Sequence, residues 1–579
     1  MLRVVIAVIF FAAISALFLD FTKTVPRILH WIAHFQITPA ILICDFGTDF
    51  KTFDFVKIFN TLFQTGTGIL LFWVILTLLF GRIYCSVICP FGILQDMFSR
   101  LAKLLRGKRF KFKFRSEMKK TRYGLLAVFV IGLTFCPVIV SVLDPYSHFG
   151  RVMVWIFRPV YLMGNNLFAW IIPDWLYYVS NYNNLPAFLL ALSILLLTGI
   201  LSVLFGRRYC NTVCPVGTIL GLISRFSCYK IRLKAGCISC GLCERSCKGE
   251  CIDSKNKTID SSRCVACFNC LSTCKRHSLV YSPLLPRFFI TPEKPEPSSP
   301  EPSSPEPSLP EPEPLRKPHA AFAPVAVSVQ TGTSQTGIPR TKTLRRQFLQ
   351  WSIFSFLLPP VSGSVVASRS SSLPDPSLPT GVSRLSYKKT MPILPPGAEE
   401  QKRFRKKCTA CHLCVSQCPA QILTPSTFEL GLAGFLQPVV QFERGFCNYD
   451  CTICTEVCPS RALTKIERVE EKHLLQIGQV IFVKENCVVE TQGSSCGACA
   501  EHCPTGAVHM IPYGDPSKSL TIPEVDTELC VGCGACEHVC PVRPFRAIYI
   551  DGLEKHRNAK PAYDPNEKQQ EIKLDDFGF

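Results

Sequence analysis

The sequence predicts a multi-domain protein, with an α-helical membrane domain of four spans at the front and small α+β modules behind it. Three observations carry this reading. Hydrophobic residues make up 48% of the 579 residues, and the mean hydropathy is positive, which is uncommon for a chain built only for water. Of 32 cysteines, 24 fall into six sets of four. A Pro/Glu/Ser-rich stretch separates two of those sets from the other four.

The membrane domain is read as residues 1–228. Four apolar stretches, about 1–19, 61–80, 123–143 and 186–205, are long enough for helices of about 20 residues that cross a ~30 Å hydrocarbon layer. The last three carry no charged residue and the first only Arg3. The segment 81–122 carries twelve Lys/Arg against Asp96 and Glu117, and the chain after 205 is also basic. Basic connections face the cytoplasm, so the N-terminus and everything directly after residue 205 are expected inside. This placement assigns the +20 charge to a membrane protein's inner loops rather than to nucleic-acid binding. Residues 1–19 read as an anchor: the leading segment is only Met1-Leu2-Arg3, and no small-residue cleavage site follows Leu19. The segment 152–173 is apolar but interrupted by Arg158-Pro159 and Gly164-Asn165-Asn166, and is expected at the membrane interface. His148 is expected in a solvated loop, and no haem-ligand histidine pair is evident in the helices.

An internal repeat lies in this half. Gly81-Arg82-Ile83-Tyr84-Cys85 and its C-x3-C-P unit ending Cys89-Pro90 recur at an offset of 125 as Gly206-Arg207-Arg208-Tyr209-Cys210 and Cys214-Pro215. Cysteines four apart share a helix face, and proline opens a following helix. Cys85, Cys89, Cys210 and Cys214 are therefore candidate redox thiols: they can bind a metal or cluster, cycle as dithiols, or be inert buried thiols. Arg82 and Arg207, beside them in both copies, are expected to lower their pKa values.

The six sets come next. Cys237, Cys240, Cys243, Cys247 and Cys264, Cys267, Cys270, Cys274 lie in residues 229–290. Cys408, Cys411, Cys414, Cys418; Cys447, Cys451, Cys454, Cys458; Cys487, Cys496, Cys499, Cys503; and Cys530, Cys533, Cys536, Cys540 lie in residues 400–550. Such spacing is that of iron–sulfur ligands, and the fold is expected to be an α+β ferredoxin-like polycluster one. Zinc sites favour separated pairs, and disulfide scaffolds are short secreted chains. Six [4Fe-4S] clusters are predicted. Three close thiolates grip one cubane and the fourth commonly serves its neighbour. Cys237, Cys240 and Cys243 should thus join Cys274, and Cys264, Cys267 and Cys270 should join Cys247. Cys408-Thr409-Ala410-Cys411-His412 matches the C-x-x-C-H haem signature. A haem would consume two ligands of a complete set, so none is expected. No nucleotide fingerprint is present, so neither flavin nor NAD is expected.

Between the groups, residues 291–340 form a Pro/Glu/Ser-rich linker, extended at about 3.1 Å per residue. Residues 341–368 hold Arg345-Arg346-Gln347-Phe348-Leu349 before an apolar run, a twin-arginine-like signal or anchor. Either version exports residues 400–550, and 551–579 reads as a polar tail. The expected location is the inner (cytoplasmic) membrane, multi-pass, with the two-cluster domain cytoplasmic and the four-cluster domain periplasmic.

These motifs carry a resemblance. Residues 1–280 resemble NapH, the membrane ferredoxin-type subunit of periplasmic nitrate reductase systems, on four helices, two C-x3-C-P motifs and a two-cluster ferredoxin. Residues 340–550 resemble NapG, its exported four-cluster partner, on the twin-arginine-like start and the order of cysteine spacings. The chain looks like a fusion of the two. The resemblance implies a quinol dehydrogenase component that draws on the quinone pool and feeds a periplasmic redox partner protein. Analogy with other four-cluster subunits implies that the first exported set pairs with the fourth and the second with the third. The chain departs from the pattern at Cys247-Lys248 and Cys274-Lys275, where ferredoxins usually place proline. The membrane half is also similar to polyferredoxin parts of nitrous oxide reductase regulators and cytochrome oxidase assembly proteins. An assembly or maturation factor for a metalloenzyme is therefore the alternative reading.

Overall fold

The computed structural model describes residues 2–20, 32–43, 66–107, 112–135, 137–171, 178–179, 184–234, 236–283, 385–514 and 519–561. All of them belong to one compact unit built from Met1–Leu284 and Ala367–Phe579. The linker, the twin-arginine-like segment and the end of the tail lie outside the described residues.

Among the described residues, twelve α-helices build the N-terminal half: α1 (Leu2–Leu19), α2 (Ile37–Ile43), α3 (Thr67–Phe80), α4 (Tyr84–Val87), α5 (Pro90–Arg106), α6 (Lys119–Phe135), α7 (Pro137–Leu143), α8 (Pro145–Val152), α9 (Arg158–Ile171), α10 (Leu185–Phe205), α11 (Arg208–Thr212) and α12 (Pro215–Ser224). Two of them, α1 and α10, are long and apolar enough to cross a membrane. The four-span expectation is met only that far. Described α3 has 14 residues, about 21 Å at 1.5 Å per residue, and the third stretch is divided into α6 and α7 at Pro137, which has no backbone N–H to donate.

Two further expectations change. The segment 152–173 is not interrupted at Arg158-Pro159. A π-turn, Met153–Phe157, leads directly into α9, with the Arg158 N–H bonded to the Met153 carbonyl. The wider turn makes room for Pro159, whose ring would collide with a carbonyl of a regular helix. Helix α9 then exposes Val160, Tyr161, Met163, Leu167, Phe168 and Trp170. His148 is not solvated. It is buried in α8, its ring 5.6 Å from that of Phe91 and 6.1 Å from that of Tyr209.

The repeat is exchanged in space. Helix α5, after the first C-x3-C-P unit, packs on α10, which precedes the second, and the Ser99 hydroxyl bonds to the Ser202 carbonyl at 3.1 Å. Helix α12, after the second unit, packs on α3, which precedes the first.

The cysteine sets sit on antiparallel two-stranded ribbons. In the two-set domain, β1 (Tyr229–Leu233) pairs with β4 (Leu279–Pro283), and β2 (Ile252–Asp253) with β3 (Thr258–Ile259). In the four-set domain the pairs are β5 (Leu423–Pro425) with β6 (Pro438–Val440), β7 (Leu475–Phe482) with β10 (Ile548–Asn558), and β8 (Val508–Pro512) with β9 (Thr521–Val525). This domain is wider than 400–550. Asp551 accepts bonds from the Thr390 and Met391 amides, both at 3.0 Å, and from the Tyr387 hydroxyl at 2.9 Å. Residues 551–558 thus close the domain as part of β10 and are not tail.

Helix α8 joins the halves. Arg151 Nε donates to the Ala410 carbonyl at 3.1 Å, and Trp155 Nε1 donates to His412 Nδ1 at 2.8 Å. Gln417 Nε2 donates to the carbonyls of Leu17 and Asp20 at the end of α1. A Cβ on Gly150 would stand 2.2 Å from the Cys411 carbonyl oxygen and 2.9 Å from the Phe18 ring. Gly150→Val is therefore expected to destabilise this joint by about 1–3 kcal/mol. Limited proteolysis of the purified protein should show the 385–561 region cut faster in the variant; an unchanged rate would mean that the joint tolerates the added bulk.

Candidate cluster-binding sites

The C-x2-C-x2-C loops take one backbone shape. The residue before the second cysteine has positive φ in four sets: Ser239 (55°), Ala266 (49°), Ala410 (51°) and Gly532 (74°). So does the residue after it: Gly241 (72°), Phe268 (60°), His412 (63°) and Gly534 (80°). Non-glycine residues held there cost about 1–3 kcal/mol each and persist only where surroundings over-determine them. The shape turns backbone amides onto sulfur: the Ala410 amide donates to Cys408 Sγ and the Gly532 amide to Cys530 Sγ, each at 3.4 Å. A one-turn helix follows, and the fourth cysteine caps it, in extended conformation at Cys247, Cys274 and Cys418 and at φ −56°, ψ 121° at Cys540.

That extended exit sends the fourth thiol to a neighbour. In the two-set domain, Cys247 lines one cavity with Cys264, Cys267 and Cys270, as the spacing predicts, and Cys237 and Cys240 lie within electrostatic reach of Cys243. The four-set domain departs from the analogy. Cys458 stands with Cys408, Cys411 and Cys414, and Cys418 with Cys447, Cys451 and Cys454. Cys540 lines a cavity with Cys487, Cys496 and Cys499, and Cys503 stands with Cys530, Cys533 and Cys536. The first set therefore exchanges with the second and the third with the fourth. Sets adjacent in sequence close into one small module before the chain moves on. The modules meet where the Cys447 amide donates to the Cys533 carbonyl at 2.9 Å.

A thiol outside the six sets joins the second cavity. Cys251 Sγ lies 3.5 Å from Cys247 Sγ and lines the same space. Its thiol contact, with neighbouring backbone amides, pulls the Cys247 thiol below its usual range, while Cys251 itself is pushed up by its contacts with Cys247 and Cys264 and by burial. Only its spacing, four residues after a ligand, marked it in the sequence. Lys248, where proline is usual, has its amine 3.3 Å from Asp96.

The C-x3-C-P units converge. Cys85, Cys89, Cys210 and Cys214 are all buried and lie within electrostatic reach of one another. Each repeat's arginine crosses to the other copy: Arg82 Nη2 donates to the Cys210 carbonyl at 3.2 Å, and Arg207 Nη1 to the Cys85 carbonyl. The motif extends to C-x3-C-P-x-G. A Cβ on Gly92 would stand 2.5 Å from the Cys85 oxygen, and one on Gly217 2.1 Å from the Cys210 oxygen. Arg82 also binds Asn211 Oδ1 at 2.8 Å and the Ser262 carbonyl at 3.0 Å, and Arg207 Nε binds Asp96 at 2.8 Å. The arginines do not lower the pKa values of Cys89, Cys210 and Cys214 overall. Burial pushes Cys89 and Cys214 up and Cys210 to about 11, against the opposing pull of Arg207 on Cys89 and Cys210.

Comparison with known proteins agrees with this picture at the level of domains. A 4Fe-4S binding domain family matches residues 63–113 and 187–234, and a 4Fe-4S dicluster domain family matches 492–543. The chain is similar to the methylamine utilization ferredoxin-type protein MauM of Methylobacillus flagellatus, 30% identical over 26% of this chain and 63% of MauM. It is also similar to two ferredoxin-type proteins of Escherichia coli. NapF is 27% identical over 27% of this chain and 85% of NapF, and NapG is 32% identical over 26% and 65%. The chain thus spans less than two thirds of MauM and of NapG. No solved structure matches. The chain carries 4Fe-4S ferredoxin-type domains and is an iron–sulfur electron-transfer protein.

Two outcomes are expected. Cys251→Ala should leave the iron content unchanged and make one reduction potential more negative, because a hydrogen bond to a ligand sulfur is lost. Loss of about four irons in a redox titration sample would instead make Cys251 a ligand. Asp96, despite its burial, is held down to about 2 by Arg207 and Lys248. Its folded value lies below the unfolded one, so its contribution is complete above about pH 4 and disappears as pH falls through about 2. At neutral pH, Asp96→Asn should destabilise the protein by about 3–5 kcal/mol, since it leaves buried cations unpaired; thermal melting in detergent measures it.

Proposed function

We propose that the chain is a membrane-bound electron-transfer protein with six [4Fe-4S] clusters, drawing electrons from the quinol pool and delivering them to a redox partner across the membrane. The observation that carries this reading is the placement of the cysteine sets relative to α1. Arg3, at the start of α1, lies within electrostatic reach of Cys267, and the end of α1 receives Gln417, next to Cys418. Eighteen helical residues span about 27 Å. The two-set and four-set groups thus stand at opposite ends of a helix of membrane length. The basic segment 81–122 on the two-set side argues for a cytoplasmic location there, and the apolar surfaces of α1, α9 and α10 argue for lipid around the middle.

The clusters, when bound, each take up and release one electron. The chain's residues do the rest. The loops aim amides at the ligand sulfurs, and β7, β10 and the ribbons beside them exclude water from Cys487, Cys530, Cys536 and Cys540, which are all buried. Quinol oxidation releases two electrons, one at a time, and two protons to water. The four sets run in spatial order from Cys408, beside α8, through Cys447 and Cys533 to Cys487. This order supports outward delivery to a periplasmic partner, as does the twin-arginine-like segment in the sequence.

Membranes carrying the protein should show cluster reduction by paramagnetic resonance when mixed with a reduced menaquinol analogue. A reporter active only outside the membrane should work after Phe579 and be silent near Ser282, and changing Arg345 and Arg346 to Lys should silence the former. Total iron should be at least roughly 24 per chain from the ligand count; a content near eight would sink the four-set part of the reading.

A further inference from the structure

We propose that Cys85, Cys89, Cys210 and Cys214 together hold a seventh [4Fe-4S] cluster, between the two-set domain and the four-set domain. The six-set reading enters only in naming the site's neighbours; the site itself rests on its own residues.

Four features point to this occupant. The first is convergence. Two repeats 125 residues apart bring two thiols each to one buried place, and the crossed Arg82 and Arg207 bonds give that place an approximate two-fold symmetry. Cys89 and Cys214 occupy equivalent N-cap positions of α5 and α12, each followed by proline.

The second is spacing. Thiolates around one tetrahedral ion with bonds of about 2.3 Å stand about 3.8 Å apart. Among the described residues no three Cys, His, Asp or Glu close into such a site, and all four thiols are free rather than paired. The same holds of the six ferredoxin-type sets, whose spacing is that of iron–sulfur ligands.

The third is unmet polarity. Arg82 Nε, Arg207 Nη2 and Gln95 Nε2 have no hydrogen-bond partner, although all three residues are 0% exposed. Each belongs to a side chain already touching the site. Arg82 Nη2 is 3.8 Å from Cys85 Sγ, Arg207 is on the Cys85 carbonyl, and Gln95 Oε1 is 3.4 Å from Cys210 Sγ. A buried donor left unsatisfied is costly. Cluster sulfides and ligand thiolates are acceptors for all three. Charge agrees. Asp96 is matched by Lys248, so two buried guanidinium charges remain, and four thiolates on an oxidised [4Fe-4S] core carry two negative charges. Four neutral thiols would leave the cations uncompensated.

The fourth is the family match. The 4Fe-4S binding domain model falls on 63–113 and 187–234, which contain these four cysteines and none of the 24 in the six sets.

The location gives the site a task. On one side Arg82 is within electrostatic reach of Cys264, and Asp96 of Cys267. On the other, Asp144 is within reach of both Tyr209 and Cys411. The site accepts one electron from a neighbouring set and gives one to the other; no bond forms or breaks. It supplies the intermediate stop that separates a continuous path from two isolated groups.

The test compares full-length protein, purified in detergent under anaerobic conditions, with the double variant Cys89→Ser, Cys214→Ser. Iron and acid-labile sulfide should each fall by about four per chain, with loss of one paramagnetic signal and retention of the others. The difference reads this site alone, whatever the six sets contain, while the total reads the six sets. No difference in iron would overturn the proposal, as would a loss of two irons or the finding of a Cys85–Cys89 or Cys210–Cys214 disulfide in the wild type. If the double variant does not accumulate, Gln95→Leu decides: one signal should shift its midpoint with iron unchanged, and seven-site titrations identical to wild type would overturn the assignment.

Discussion

The N-terminal half is organised by two buried arginines that each bind the other repeat. Arg82 and Arg207 are fully buried, and each reaches the backbone carbonyl of the opposite copy's first cysteine. A guanidinium brings several donors in a fixed fork, so one side chain can tie several elements at once. Arg82 reaches Asn211 and Ser262; Arg207 reaches Asp96, which also holds Lys248. The same pair therefore fixes the exchanged packing of α5 on α10 and of α12 on α3, and docks the two-set domain beneath them. Desolvating two cations carries a large penalty, and a fold keeps such groups only where an acceptor array or an anion compensates them.

The ribbons of the cluster-binding domains depend on ligation in a different way. The four-set domain buries an apolar core that includes Leu394, Phe404, Val439, Leu463, Val480 and Ile550, yet its described sheets are only two-stranded ribbons, and isolated hairpins are marginal in water. Loops with Ala266, Phe268, Ala410 and His412 in left-handed conformations add strain. Metal binding contributes directly to folding in domains of this kind. The fourth cysteines of adjacent sets lie among each other's thiols and so tie each module together.

The sequence made the cysteine sets legible because their spacing is set by local chain geometry. It could not decide which of the four C-terminal sets are partners, because that depends on how far the chain travels before closing a ribbon. Analogy chose the first with the fourth, whereas β5·β6 closes the first two sets as a module of their own. His148 was misread for a related reason. A polar residue near a helix end looks solvated in one dimension, yet α8 is buried on every side by α1, the repeats and the 408–418 loop. The edge of the four-set domain was misjudged because Lys555, Arg557 and neighbouring polar residues resemble a tail, while β10 is an edge strand that carries charge outward. Arg82 and Arg207 were seen, but as cations that lower thiol pKa values. Burial outweighs them there, and their larger role is to cross-brace the repeats.

The joint between the halves decides how electrons would travel. A long tether alone would keep the four-set domain nearby at an effective concentration and leave its orientation free. Here the orientation is set by buried, directional contacts: Arg151 on the Ala410 carbonyl, Trp155 on His412, and Gln417 on the end of α1. All three contact the 408–418 loop, which carries the first of the four C-terminal sets, and none of them contacts the third or fourth. The first set is therefore held directly against the N-terminal half, and the third and fourth sets stand away from that joint. A redox chain needs this asymmetry, because the internal step must be short and fixed while the terminal step must remain open to a partner that comes and goes.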